Sequence, residues 1–256
     1  MSHWTDRFAL TGRKAFVTGA SKGIGAEICA VFAEAGADIV AVARDQAGLA
    51  DTAAVVQAKG RRCLTIAADL GSIASTQNAA ATALAQWGTI DILVNCAAIT
   101  HVGPATTFAV EHWDQIMAVN LRAPFLLAQS LGPGMIAQAW GKIINISSQT
   151  GVIALDDHAA YASSKGGLNA LTKSLCAEWA RFNVQVNAIC PTVVMTPMGI
   201  QVWSDPAKGD PMKARTPARR FGEPVEVADM ALYLASPASG LVNGAIMMIE
   251  GGYSSI

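Results

Sequence analysis

Short apolar runs alternate along the chain with longer amphipathic stretches, the pattern of βαβ units whose parallel strands are buried on both faces. Seven runs read as strands: Lys14–Thr18, Asp38–Ala43, Arg62–Ala67, Ile90–Asn95, Lys142–Ser147, Val184–Ile189 and Ala245–Ile249. Between them the spacing predicts helices over Gly23–Ala35, Gln46–Lys59, Ser72–Trp87, Val110–Leu131, Ala160–Arg181 and Pro224–Leu234. On the fifth helix Leu168, Leu171, Leu175 and Trp179 recur at three- and four-residue spacing and face the sheet. The last helix opens with Pro224 at its first position and acidic residues in its first turn. No repeat or low-complexity linker intervenes, so the expectation is one α/β domain over residues 1–256: a doubly wound, seven-stranded parallel sheet with helices on both faces. Only Thr196 to Phe221 breaks the alternation. With Pro197, Pro206, Pro211 and Pro217 it reads as too polar and broken for a core element, and its length suggests a substrate lid over 196–221.

Composition narrows the class. Hydrophobic residues make up 52% and charged ones 14%, so apolar surface is expected between subunits. A net charge of -1, with no basic block beyond the small group Arg215 to Arg220, gives neither nucleic acid nor anionic lipid a long-range attraction. The five cysteines Cys29, Cys63, Cys96, Cys176 and Cys190 are scattered without zinc-ligand spacing and read as reduced thiols, so no metal is expected. The N-terminal residues lack the basic and apolar regions of a secretory signal, and no stretch reaches membrane-spanning length; a cytoplasmic protein is expected.

Two local patterns carry chemistry. Directly after the first strand, Thr18-Gly19-Ala20-Ser21-Lys22-Gly23-Ile24-Gly25 forms a glycine-rich turn that opens the first helix. Gly19, Gly23 and Gly25 allow a tight turn and close backbone approach to a pyrophosphate, and the helix N-terminus favours an anion. This is a Rossmann-like arrangement. Farther on, Tyr161 and Lys165 stand one helical turn apart, 13 positions after Ser148. An ammonium ~4 to 5 Å from a phenol favours phenolate by roughly 3 to 4 kcal/mol at an effective dielectric of ~20, about 2 to 3 pKa units below the usual ~10. Tyr161 is therefore expected to exchange a proton near neutral pH.

Taken together, the glycine turn with Ser148 and Tyr161-Ala-Ser-Ser-Lys165 resembles the short-chain dehydrogenase/reductase family from about Leu10 to Tyr253. The resemblance implies a catalytic tetrad of Asn120, Ser148, Tyr161 and Lys165, with Tyr161 as acid/base, Ser148 binding the reacting oxygen, and Lys165 acting on both the phenol and the nicotinamide ribose. It also implies cofactor contacts from Gly19, Ser21, Lys22, Gly23, Ile24 and Gly25, from Asp69 at the adenine with neighbouring Leu70, and from Asn95. Pro191, Val194 and Thr196 are implied at the nicotinamide. The chain departs from the family pattern at Asn95-Cys96-Ala97-Ala98, with cysteine and alanine for asparagine and glycine, and at Thr192, which replaces a glycine. The Gly244–Tyr253 segment resembles the family's final strand, which implies a homotetramer.

Cofactor choice turns on Val42-Ala43-Arg44 at the end of the second strand. Ala43 stands where NAD-preferring relatives carry a carboxylate, and Arg44, with Lys22 nearby, suits a 2′-phosphate. NADP is expected, with NAD the alternative if Asp45 takes the ribose hydroxyl. Candidate substrate-lining residues are Thr100, His101, Ser148, Gln149, Asp156, Asp157, His158, Thr192 and Val193, with Met195, Met198 and Trp203 on the lid. The polar ones suit a small polyol or sugar-like ketone. Two alternatives stand: a 3-oxoacyl group on a carrier protein docked at Arg215, Arg219 and Arg220, and a cofactor-binding sensor or scaffold without turnover.

Overall fold

The computed structural model describes residues 3–255, except for the side chains of Met198 and Val202. Seven strands form one sheet: β1 (Lys14–Thr18), β2 (Asp38–Ala43), β3 (Cys63–Ala67), β4 (Ile92–Asn95), β5 (Gly141–Ile146), β6 (Val184–Pro191) and β7 (Ile246–Ile249). Their order is β3-β2-β1-β4-β5-β6-β7, and every pairing is parallel. Chain order reverses between β1 and β4, and at such a switch point the carboxyl ends of the strands open a crevice.

The apolar runs become central strands because both faces need hydrophobic side chains. Ala15 and Val17 of β1, with Ile39 and Ala41 of β2, pack into one core beneath α1 (Gly23–Glu34), α2 (Gln46–Ala58) and the late helix Pro224–Ala235. Phe16, Val40 and Val42 alternate with them into the second core, against α3 (Ile73–Trp87), α5 (Ala123–Ala137) and α6 (Ala159–Trp179). Leu168 and Leu175 are buried on α6, while Leu171 and Trp179 are partly buried against the second core.

Two regions differ from the sequence expectation. The helix read as Val110–Leu131 is three pieces, α4 (Val110–Met117), a π-helical turn at Ala118–Arg122 and α5, and it runs past Gly132 and Pro133 to Ala137. The stretch read as irregular contains α7 (Pro197–Trp203) and α8 (Pro206–Arg215), followed by α9 (Pro224–Ala235). Pro197 and Pro206 begin their helices, where a missing N–H breaks no hydrogen bond, and Thr196 and Asp205 cap them by accepting from Gly199 N and Ala207 N. Two of the four prolines are thus helix starts, while Pro211 lies inside α8 and Pro217 follows it. Among the described residues no helix is long and apolar enough to cross a membrane, and no group of three metal-ligating side chains gathers.

Candidate active site

Along the switch point runs a cleft of about 340 Å³, floored by the glycine turn and walled by the ends of β2, β3 and β4. It brings together Gly19, Ser21, Lys22, Ile24, Gly25, Arg44, Asp69, Leu70 and Thr196 from the sequence expectation. Cys96, Ile99 and Val119 also line it; the sequence reading missed them, and their only signal is position beside a motif or a strand end.

The turn is fixed by sterics. Gly19 has φ +68°, and a Cβ there would lie 2.9 Å from Ala97 Cα, while one on Gly25 would lie 2.3 Å from Gly19 O. Thr18 Oγ1 accepts from the N–H groups of Cys96 (2.9 Å) and Ala97 (3.0 Å), tying β4 to β1. Because backbone atoms make these bonds, cysteine and alanine hold the loop as asparagine and glycine would. Unlike α2, α3 and α7, α1 has no side-chain cap at Lys22. Its first N–H groups therefore suit an anionic ligand, and the cleft fits a dinucleotide's phosphate. Arg44 is exposed on the wall and makes no ion pair among the described residues. Asp45 instead spends a carboxylate oxygen capping α2 through Gly48 N at 3.2 Å.

Beyond the cleft lies the Ser–Tyr–Lys group. Lys165 is 2% exposed, its Nζ donates to Ile146 O at 2.8 Å, and it stands 5.6 Å from the Tyr161 ring centroid. Ser148 Oγ accepts from Thr150 Oγ1 (2.9 Å) and Thr150 N (3.2 Å), which fixes its rotamer. Asn120 is 1% exposed; its amide clasps Ile99, accepting from the N–H and donating to the carbonyl at 2.9 Å each, and donates to Ser164 Oγ at 3.1 Å. This clasp ties the loop after β4 to α6. Asn95, 4% exposed, donates to Asn145 Oδ1 at 2.8 Å, and its own Oδ1 has no partner in the protein.

The electrostatics reverse one expectation. Burial pushes the Tyr161 phenol up to about 12, although the Ser148 hydroxyl favours the phenolate. Burial also pushes Lys165 down to about 8. Desolvation dominates, so the phenol of the free protein is held in its protonated form at neutral pH.

Of the candidate substrate residues, Gln149 is buried directly after Ser148, and His158 lies edge-on to Tyr161 with centroids 6.5 Å apart. Thr192, with a buried unpaired hydroxyl, follows Pro191 at the end of β6, and Val194, 8% exposed, bridges to Gly222. The His101 ring is engaged elsewhere, stacked on His112 at 3.9 Å. Trp203 packs edge-on to Phe221 in a cluster with Met212, Tyr253, Ile153 and Leu155, side chains the sequence reading did not bring together. Met198's side chain lies outside the described residues.

A family model described as Enoyl-(Acyl carrier protein) reductase matches residues 19–254, and the matched span carries the glycine turn and the whole Ser–Tyr–Lys group. The chain belongs to the short-chain dehydrogenase/reductase family. It is therefore an oxidoreductase of the kind that acts on CH–OH groups. Among the family's members it is 41% identical over 247 residues to D-threitol dehydrogenase of Mycolicibacterium smegmatis, covering 96% of this chain and 95% of that protein. L-xylulose reductase of Bos taurus is 41% identical over 245 residues, covering 95% and 97%. A crystal structure of gluconate 5-dehydrogenase from Burkholderia cenocepacia in complex with NADP and tartrate superposes with TM-score 0.94 at 38% identity, covering 99% of this chain and all of that one (100%).

Proposed function

We propose that this short-chain dehydrogenase/reductase interconverts the carbonyl and secondary alcohol of a small polyol or ketose, with NADP(H) as the preferred cofactor. The observation that carries the reading is the convergence of Ser148, Tyr161 and Lys165 just beyond a cleft whose wall presents an unpaired guanidinium, Arg44. Likeness to threitol, xylulose and gluconate enzymes supports the substrate class.

Bound nicotinamide supplies or accepts the hydride. Ser148 Oγ, held by Thr150, donates a hydrogen bond to the reacting oxygen, and the Tyr161 hydroxyl gives that oxygen its proton. A phenol pushed up to about 12 is in the acid form at neutral pH, the form that reduction needs. Lys165 Nζ, with one donor on Ile146 O, keeps others for ribose hydroxyls. The uncapped N–H groups of α1 take the pyrophosphate, and Arg44 and Lys22 take the 2′-phosphate.

The carrier-protein reading requires free cations. Here Arg220 forms a bidentate pair with Glu226 at 2.8 and 2.6 Å, Arg219 donates to Ala214 O, and the Arg215 guanidinium lies 5.4 Å over the Tyr253 ring. We also propose a homotetramer, supported by exposed Val110, Trp113 and Phe125 on and beside α4; a monomer mass by light scattering would overturn that part. The enzymatic test is absorbance of NADPH and NADH against four- to six-carbon ketoses and a 3-oxoacyl thioester. Turnover of ketoses with NADPH is expected, and turnover of the thioester alone would replace the reading.

A further inference from the structure

The serine that meets the reacting oxygen has a neighbour that sets the polarity of its hydrogen bonds. Thr150 stands two positions on, in the short turn Gln149–Gly151 after β5, and is 6% exposed. Both of its donors point back, with Thr150 N 3.2 Å and Thr150 Oγ1 2.9 Å from Ser148 Oγ. Among the described residues the Thr150 hydroxyl has no other partner, so accepting from Ser148 would leave its own buried proton unpaired, which is costly. Thr150 is therefore the donor and Ser148 the acceptor. A serine oxygen has two lone pairs and one proton. With both lone pairs engaged, Ser148 can only donate.

The turn is also held against the helix that carries Tyr161 and Lys165. Gly151 O accepts from Asn169 Nδ2 at 3.2 Å, and Ser147 Oγ donates to Lys165 O at 3.2 Å. A Cβ on Gly151 would lie 2.8 Å from Asn169 Nδ2 and 3.0 Å from the Lys165 carbonyl, so the turn sits directly on the backbone of α6. Thr150 is thus placed relative to α6 as well as to its own strand. Ser148 Oγ inherits that placement, and the Ser148 hydroxyl favours the Tyr161 phenolate, as a donor would.

We propose that Thr150 is a positioning residue that makes Ser148 an obligate hydrogen-bond donor to the reacting oxygen in both directions of hydride transfer. The proposal rests on the reading of this site as a hydride-transferring one and adds the group that orients its hydrogen bonds. A carbonyl only accepts, so in reduction it takes a hydrogen bond from Ser148 and the proton from Tyr161. An alcohol brings a proton of its own. Because Ser148 cannot accept it, the alcohol O–H turns to Tyr161 Oη, and the phenolate takes that proton as hydride passes from the carbon to the oxidised nicotinamide. Ser148 donates to the oxygen throughout. Two donors on Ser148 Oγ also polarise its proton, which strengthens the bond it gives to an oxygen gathering negative charge.

The test measures kcat and KM across pH in both directions for the wild type, for Thr150→Val, which keeps the shape and removes the hydroxyl, and for Thr150→Ser, which keeps the hydroxyl. Ser148→Ala and the double variant Ser148→Ala/Thr150→Val complete a cycle. The substrate is whichever carbonyl the wild type reduces, ketose or 3-oxoacyl thioester, with the corresponding alcohol. Thr150→Val is expected to lower kcat about five- to tenfold with the cofactor KM unchanged, the loss of one hydrogen bond felt at the reacting oxygen. A Ser148 freed to accept from the Tyr161 hydroxyl no longer favours phenolate, so the rising limb of alcohol oxidation should move up by about half a pH unit to one unit. Thr150→Ser should recover both, and Thr150→Val should add nothing once Ser148 is alanine. An unmoved pH profile in Thr150→Val, an equal further loss in the Ser148→Ala background, or a lowered Tm that Thr150→Ser shares would assign Thr150 to packing and overturn the proposal. Thioester turnover with the expected effects would replace the ketose reading and leave the proposal standing, and ketose turnover without them would do the reverse. Turnover of neither would remove both.

Discussion

The two sides of the crevice are built differently. On the β1–β4 side, polar groups are mostly paired within the protein: Thr18 Oγ1 takes two N–H groups, Thr52 Oγ1 donates to Ala20 O at 2.7 Å, and Asp45 caps its helix. On the β5–β7 side, three buried polar atoms, Gln149 Oε1, Thr192 Oγ1 and Tyr253 Oη, are unpaired, and the wall above them is two short helices begun by prolines. One side is a backbone cradle whose shape is set by close contacts, suited to a single kind of ligand. Free energy follows the same division, since paired groups stabilise the fold whereas buried unpaired ones cost stability.

The largest expected effect lies where the two sides meet. Tyr161→Phe should lower kcat by about 10²–10⁴-fold while cofactor affinity, measured by fluorescence titration, changes little. Retained turnover would mean that proton transfer does not pass through Tyr161. On the cofactor side, Arg44→Ala should cost about 10- to 100-fold in kcat/KM for NADPH and leave NADH nearly unaffected, as loss of a charge-assisted contact predicts. Equal losses with both cofactors would place Arg44 in folding of the wall and return Asp45 to contention.

Legibility in the sequence follows the same boundary. β1 and β2 agree with the apolar runs residue for residue, because a strand buried on both faces admits little but apolar side chains. The glycine turn and the Tyr161–Lys165 spacing were readable because chemistry fixes both the residue types and their separations. The π-helical turn at Ala118–Arg122 leaves no compositional trace, and α7 and α8 were obscured because proline signals a break and a helix start alike. The packing of Tyr253 against Met212, Phe221 and Trp203 was invisible for a different reason. It depends on the turn after β7 folding back onto the lid, a tertiary fact with no local signature. The direction of the Tyr161 shift had no trace in the sequence, since helical spacing reveals the neighbouring lysine but not the burial that raises the phenol.

Buried lysines at opposite ends of β5 allow a pH comparison. Lys142, 2% exposed and hydrogen-bonded to Ser239 Oγ at 3.0 Å, is pushed down to about 8 by burial and by Arg13. Lys165 is also pushed down to about 8 by burial. Between about pH 8 and ~10.4 the unfolded chain binds these protons and the folded one does not, so each lysine makes stability rise with pH, by up to about 1.4 kcal/mol per unit. Buried thiols oppose this from ~8.5 and Tyr161 from ~10: burial raises Cys63 to about 11, Cys96 and Tyr161 to about 12 and Cys29 well above its usual value, so the folded state then holds protons that the unfolded chain has lost. Urea unfolding of the cofactor-free wild type beside Lys142→Met and Lys165→Met isolates the lysines. From about pH 8 to ~10 the slope of stability against pH should be lower in each variant by up to about 1.4 kcal/mol per unit, and a slope unchanged by Lys165→Met would mean that its ammonium is solvated in the free site.

The smallest effect is expected where the lid joins α9. Arg220 holds Glu226 bidentately, and Glu226 Oε2 also accepts from Glu223 N at 2.8 Å, so one half-exposed carboxylate ties the last lid residues to the start of the helix. The Arg220 hydrogen bonds, foremost, and that backbone N–H hold the Glu226 carboxyl down at about 2. Its contribution is therefore complete above ~4.5 and lost only as the pH falls toward 2, outside the range of any ordinary assay. Solvent and salt screen an exposed pair, so Glu226→Gln should shift Tm by only about 1–2 °C. Its effect should instead appear in the substrate KM, through the lid residues Trp203 and Met212 that close over Tyr253, with the cofactor KM unmoved. A change in cofactor KM alone would mean that the two sides of the crevice are coupled through α9, and the division between a paired cradle and an open wall would have to be redrawn.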